Sequence, residues 1–140
     1  MAFALDPSTP FGARVARRLE AERIGWLVTV NGRGAPQPSP VWFLWDDGSI
    51  LLYSQPDTPK LRNIAANPRV ALHFNDDGRG DDIVILSGRA AESDDRPAHE
   101  LPVYLDKYGE LIAGNGWTPE SFAADYSVPV RIRPTGLRGF

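Results

Sequence analysis

The 140-residue chain contains no cysteine. That removes disulfides, thiolate metal ligands and cysteine nucleophiles at once. Histidine is nearly missing too: His73 and His99 are the only two, too few for a histidine-rich centre, and no metal site is expected. No apolar run approaches the roughly 20 residues that a membrane-spanning helix needs. The first residues, MAFALDPSTPFGARVARR, lack the basic segment and apolar stretch of a secretory signal. A cytoplasmic protein is therefore expected. The net charge of -3 is mild, so no general attraction to nucleic acid or an acidic membrane follows. Internal repeats and low-complexity blocks are absent as well.

What the chain does have is punctuation: 13 glycines and 13 prolines, which suit many short elements joined by tight turns. Its length fits one domain over 1–140, with 1–10 as an N-terminal extension. Ser8 or Thr9 before Pro10 starts a helix whose apolar residues Phe11, Val15 and Leu19 recur every four positions. WLVTV, Trp26 to Val30, reads as a strand, and Asn31-Gly32 after it signals a hairpin. The return strand is expected over about Ala35 to Trp45. Its prolines Pro36, Pro38 and Pro40 share one parity, so that side must be an edge. Across the turn Asp46-Asp47-Gly48, SILLYS forms a third strand, expected to pair with PQPSPVWF and so bring Gln37 and Ser39 toward Ser54.

Thr58-Pro59 opens a short helix with Leu61, Ile64 and Ala65 inward, stopped by Asn67-Pro68. RVALHF and DIVILSGRAAE are a fourth and a fifth strand. Residues 94–108 look helical but are interrupted by Pro97 and Pro102, and Thr118-Pro119 starts a brief helix. VPVRIRP closes as a sixth strand. The pattern predicts an α+β domain built on a six-stranded antiparallel barrel with short flanking helices.

One stretch stands out chemically. YSQPDTPKLRNI, Tyr53 to Ile64, gathers Ser54, Gln55, Thr58, Lys60, Arg62 and Asn63 around a helix start. The free N–H groups of a first helical turn, with the helix dipole, favour an anion. Lys60 sits in that turn, where a cation is mildly unfavourable unless an anion lies between. Ordinary capping by Thr58 with a solvated Lys60 accounts for the same residues. Trp42, Phe43 and Trp45 supply either core or the walls of a site.

WLVTVNGRGAPQPSPVWFLW followed by SILLYSQPDTPKLRNIAANPRVALHF resembles the split-β-barrel flavin and deazaflavin oxidoreductases, the superfamily of pyridoxamine 5′-phosphate oxidase. The PSPVWF and YSQPDTPKLRNIAANPRVAL segments look most like its actinobacterial branch using coenzyme F420. The resemblance spans about 11–135. It implies a split barrel, a homodimer, and cofactors in grooves between subunits. By the same resemblance, Gln37, Pro38, Ser39, Pro40 and Val41 contact the ring. Ser54, Thr58, Lys60 and Asn63, with Arg62 as a further candidate, hold the phosphate. Arg131 and Arg133 are candidates to complete the site, each equally readable as a solvated strand residue. Flavin-dependent members often carry an arginine on the second strand; prolines, glutamine and serine here favour a deazaflavin. Pyridoxamine phosphate oxidases have an extra C-terminal segment beyond the sixth strand, which turns expectation away from that reaction.

The implied activity is hydride transfer between F420 and an unsaturated or conjugated small molecule. The alternatives are an FMN-dependent oxidoreductase and a non-enzymatic carrier of F420 or flavin. No catalytic acid is fixed by the sequence; Tyr126, Tyr104 and His73 are candidates. The segment 94–117 is expected to form the substrate wall, with Trp117 available to cover it.

Overall fold

The computed structural model describes residues 3–140. Seven strands form one antiparallel sheet: β1 (Gly25–Val30), β2 (Pro36–Val41), β3 (Leu44–Asp46), β4 (Ser49–Ser54), β5 (Arg69–His73), β6 (Val84–Glu92) and β7 (Val128–Gly139). Their order is β2-β1-β5-β6-β7-β4-β3. Val41 of β2 and Ile50 of β4, near opposite ends of this order, share one core with Leu27, Leu72, Leu86 and Ile132. The sheet therefore curls onto itself as a split barrel.

The seventh strand arises because the expected return strand is two strands. Phe43 breaks it. Its N–H donates to the Tyr108 hydroxyl at 2.8 Å, and its carbonyl accepts from Lys107 Nζ at 2.9 Å. The Tyr108 hydroxyl in turn donates to the Arg23 carbonyl at 2.7 Å. With both backbone groups satisfied by side chains, Phe43 needs no strand neighbour. The chain can then cross from one end of the sheet to the other. Consequently β2 pairs with β1, not with β4, and of the two halves only β3 pairs with β4. The expected pairing of PQPSPVWF with SILLYS is thus wrong.

Four helices flank the sheet: α1 (Pro10–Ala21), α2 (Pro59–Ala66), α3 (Pro102–Gly114) and α4 (Pro119–Asp125). Thr9 caps α1, accepting from the Gly12 N–H at 2.9 Å, and Val15 and Leu19 are fully buried beneath it. Pro102 begins α3 rather than breaking it, because a first helical position needs no N–H. Thr118 and Ser121 cap α4 reciprocally. In α2, Leu61 and Ile64 face inward as expected; Ala65 is exposed.

Side chains alternate along β4. Ile50, Leu52 and Ser54 share the barrel-facing side with their β7 partners Ile132, Val130 and Val128. Leu51 and Tyr53 face the other way. There they meet Tyr104, Tyr108, Ile112 and Phe122 in a second core beneath α3 and α4. Helices α3 and α4 thus seal one outer face of the barrel and carry an aromatic wall toward β2. Among the described residues, no helix is long and apolar enough to cross a membrane.

Candidate functional site

Ser54 at the end of β4 is only 1% exposed. Its hydroxyl donates to the Gln55 carbonyl at 2.8 Å and lies 3.0 Å from the Thr58 hydroxyl. Thr58 has the extended backbone of an N-cap, but its side chain makes no bond to the first turn of α2. The hydroxyl that would cap the helix is engaged with Ser54, leaving the first-turn amides of Lys60 and Leu61 without that cap. Arg62 folds back over the turn, donating from Nη1 to the Asp57 carbonyl at 2.6 Å. Asn63 faces the barrel and donates from Nδ2 to Thr29 Oγ1 at 3.0 Å. Thr29 itself is 1% exposed, so this contact ties α2 to β1.

Strand β2 lies at the sheet edge. Gln37 pairs with Thr29, Ser39 with Leu27 and Val41 with Gly25. Gln37 therefore sits beside the Asn63–Thr29 contact although its strand is far from β4 in the sheet. In a strand each residue's N–H and C=O point to the same side, so the three prolines leave the outer edge with carbonyls and no amide donors. Pro36 O already accepts from Gln37 Nε2 at 3.1 Å.

Pro40 and Val41 meet Lys60 in a cleft of about 230 Å³ whose other walls are Trp42, Tyr53, Tyr104, Trp117, Phe122 and Tyr126. Trp42 stacks on Tyr108 at 4.7 Å between ring centroids and Phe122 on Tyr126 at 4.8 Å. Lys60 is half-buried, and burial lowers its pKa from the ordinary lysine value. No described carboxylate forms an ion pair with it. An unpartnered, partly desolvated cation opposite an acceptor-only edge and beside an uncapped helix start suits an anionic ligand with a flat polar ring.

The structure thus gathers Pro40, Val41 and Lys60 in one cleft, with Ser54 and Thr58 in the turn leading to it. Gln37, Ser39 and Asn63 lie on the barrel side of β2 and α2. Pro38 is on the outer edge and Arg62 is committed to Asp57. Arg131 is fully occupied: it grips Asp95 with two bonds of 2.9 and 2.7 Å, Asp46 at 2.8 Å and Ser49 at 2.9 Å. Arg133 is exposed and opposite Arg89. Of the three candidate proton donors, Tyr104 and Tyr126 line the cleft and His73 does not. Burial pushes the Tyr104 phenol far above the usual range, so it stays neutral. Tyr53 and Phe122 went unassigned in the sequence. Alternation along SILLYS, which sets Tyr53 opposite to Ser54, was the available signal for Tyr53.

The sequence profile of the pyridoxamine 5′-phosphate oxidase family matches residues 11–138. The chain belongs to that family, within the flavin-binding split-barrel superfamily. No curated protein matches it. Among solved structures it is similar to an F420 reductase, with 29% identity over 87% of this chain and 94% of that one, TM-score 0.61. An FAD-binding protein from Mesorhizobium loti shares 25% identity over 89% and 88%, TM-score 0.63. A haem storage protein from Vibrio cholerae, 16% identical over 98% and 95%, TM-score 0.62, shares the fold.

Proposed function

We propose that this cytoplasmic protein is an F420-dependent oxidoreductase acting on an unsaturated or conjugated small molecule, as a homodimer with the cofactor held between subunits. The observation that carries this reading is Lys60, an unpaired cation in a cleft between the proline edge of β2 and an aromatic wall. Lys60 and the α2 amides would hold the phosphate, with Ser54 and Thr58 shaping the turn. Gln37, Ser39 and the β2 carbonyls would meet the ring's polar edge, where a ring N–H finds acceptors. Reduced F420, when bound, supplies a hydride. The protein's share is orientation and exclusion of water, and Trp42, Trp117, Phe122 and Tyr126 offer a flat acceptor surfaces to stack on. Tyr126, which lines the cleft and is half-buried, would donate the proton through its phenol.

Similarity to an F420 reductase supports the deazaflavin, and the acceptor-only edge is equally compatible with FMN. A titration with F420 beside FMN tests the choice. The expected result is saturable F420 binding, weakened by Lys60→Ala about tenfold or more, since a charge-assisted phosphate contact contributes on the order of 1.5–3 kcal/mol. Unchanged affinity in Lys60→Ala removes the phosphate assignment, and FMN co-purifying with the protein replaces F420 in this reading. Binding without turnover across quinones and enones indicates a carrier.

A further inference from the structure

Lys60 and Lys107 are the only lysines in a chain with thirteen arginines, and each lines a cleft. The second cleft, about 310 Å³, is bounded by Leu19 and Glu20 of α1, Leu44 and Trp45 of β3, and Val103, Asp106 and Lys107 of α3. It shares no lining residue with the aromatic cleft. Lys107 Nζ lies 2.9 Å from the Phe43 carbonyl and 3.9 Å from the Phe43 ring centroid. No described carboxylate pairs with it. Val103, 62% exposed, leaves an apolar surface at the cleft's mouth.

We propose that Lys107 forms a reversible imine with a small aldehyde bearing a flat apolar body, seated in the cleft between α1, β3 and α3. The contact with Phe43 needs one N–H. A neutral amine keeps that bond and still has a lone pair to turn toward the cleft, whereas a guanidinium in the same place is inert. Burial lowers the Lys107 pKa to about 8, against the opposing pull of Glu20 and Glu22 on α1. Asp106 on its own helix and Tyr108 beside it are the other titratable groups nearby. The amine of desolvated lysine is a known kind of activated nucleophile. Its lone pair attacks the carbonyl carbon, a C–N bond forms, and an amine proton passes to oxygen to give the carbinolamine. That hydroxyl takes a proton relayed from water by Glu20 or Asp106 and leaves as water while the nitrogen lone pair forms the C=N bond. The protonated imine so formed keeps the one N–H that meets the Phe43 carbonyl. No electrons are exchanged, and hydrolysis reverses the sequence. Leu19, Leu44 and Trp45 provide the walls for the apolar body.

The test uses the full chain with cinnamaldehyde and, separately, formaldehyde, each trapped by cyanoborohydride and mapped by peptide mass spectrometry. Lys107 is expected to react about tenfold faster than N-acetyl-lysine amide. Its midpoint in pH should fall near 8. Trp45→Ala should slow cinnamaldehyde more than formaldehyde. Lys107→Arg retains the charge and a donor for Phe43, and should fold, by circular dichroism, with the adduct lost. Trapping no faster than that of N-acetyl-lysine amide, or a midpoint at the ordinary lysine value, overturns the proposal and leaves Lys107 a structural cation. Equal slowing of both aldehydes by Trp45→Ala also overturns it, as to the apolar body.

Discussion

Single side chains in this protein are chosen by what their polar atoms can reach. Arg131 shows this best. A strand arginine near the C-terminus resembles a phosphate ligand in sequence, yet its guanidinium is shared among Asp95, Asp46 and Ser49. The network fastens β7 to the β3–β4 turn and to the loop before α3. The guanidinium holds the Asp95 carboxyl below the usual carboxylate value, with Ser93 assisting. A depressed carboxylate pKa adds stability above the unfolded value near 3.8, which is lost as pH falls through the folded one. Asp95→Asn is therefore expected to lose about 1–3 kcal/mol at neutral pH, because a partly buried charged partner is left short of a bond. Urea denaturation should show the gap from the parent closing at strongly acidic pH. A gap that stays constant would mean the carboxylate charge is not what matters.

Among the elements, strand register creates a feature that no local pattern announces. Arg69 of β5 stands opposite Arg89 of β6, which stands opposite Arg133 of β7. All three are exposed, and none has an ion-pair partner among the described residues. Like charges directly opposite cost a few tenths of a kcal/mol per pair, screened by salt. Arg89→Thr removes two such pairings with a good strand former. It should raise the melting temperature at low ionic strength, and the gain should shrink in 0.5 M salt, on the order of twice the screening of physiological buffer. A lower melting temperature at low salt would show that the arginines' stems contribute more by packing than their charges cost.

Over the whole molecule, the second core and Lys107 beside it carry the alkaline pH response. The phenols of the second core are pushed up by burial, that of Tyr53 to about 12 and those of Tyr104 and Tyr108 further. A phenol raised in this way contributes fully below the unfolded value of 10 and loses its contribution as pH climbs beyond it. The lysines act oppositely. Lys107, depressed to about 8, sheds its proton earlier in the folded state than the ordinary 10.5, so its cost declines as pH rises between those values. Thermal melts across pH 7 to 12 should therefore show stability rising from about 8 toward 10 and falling beyond. In Lys107→Arg the rise should weaken while the alkaline fall remains. A monotonic decline from neutral pH would contradict the burial of the amine.

Much of the architecture was legible because it is local. Helix starts followed from Thr9-Pro10, Thr58-Pro59 and Thr118-Pro119, and strands from β-branched runs between turns. The prolines of β2 announced an edge, since a residue without N–H cannot serve a ladder on that side. The helix start around Lys60 was legible for the same reason. What the sequence could not decide was which distant groups meet. The break at Phe43 depends on Tyr108 and Lys107, 65 and 64 residues away. Alternation says that Ser54 and Tyr53 face opposite sides, but only the curl of the sheet decides that Tyr53 joins Lys60 and Pro40 in one cleft. The commitment of Arg131 to two carboxylates, and the row of Arg69, Arg89 and Arg133, are likewise products of register. Local backbone preferences are written in neighbouring residues; the pairing of remote side chains is settled only when hydrophobic burial closes the barrel and fixes every strand against the next.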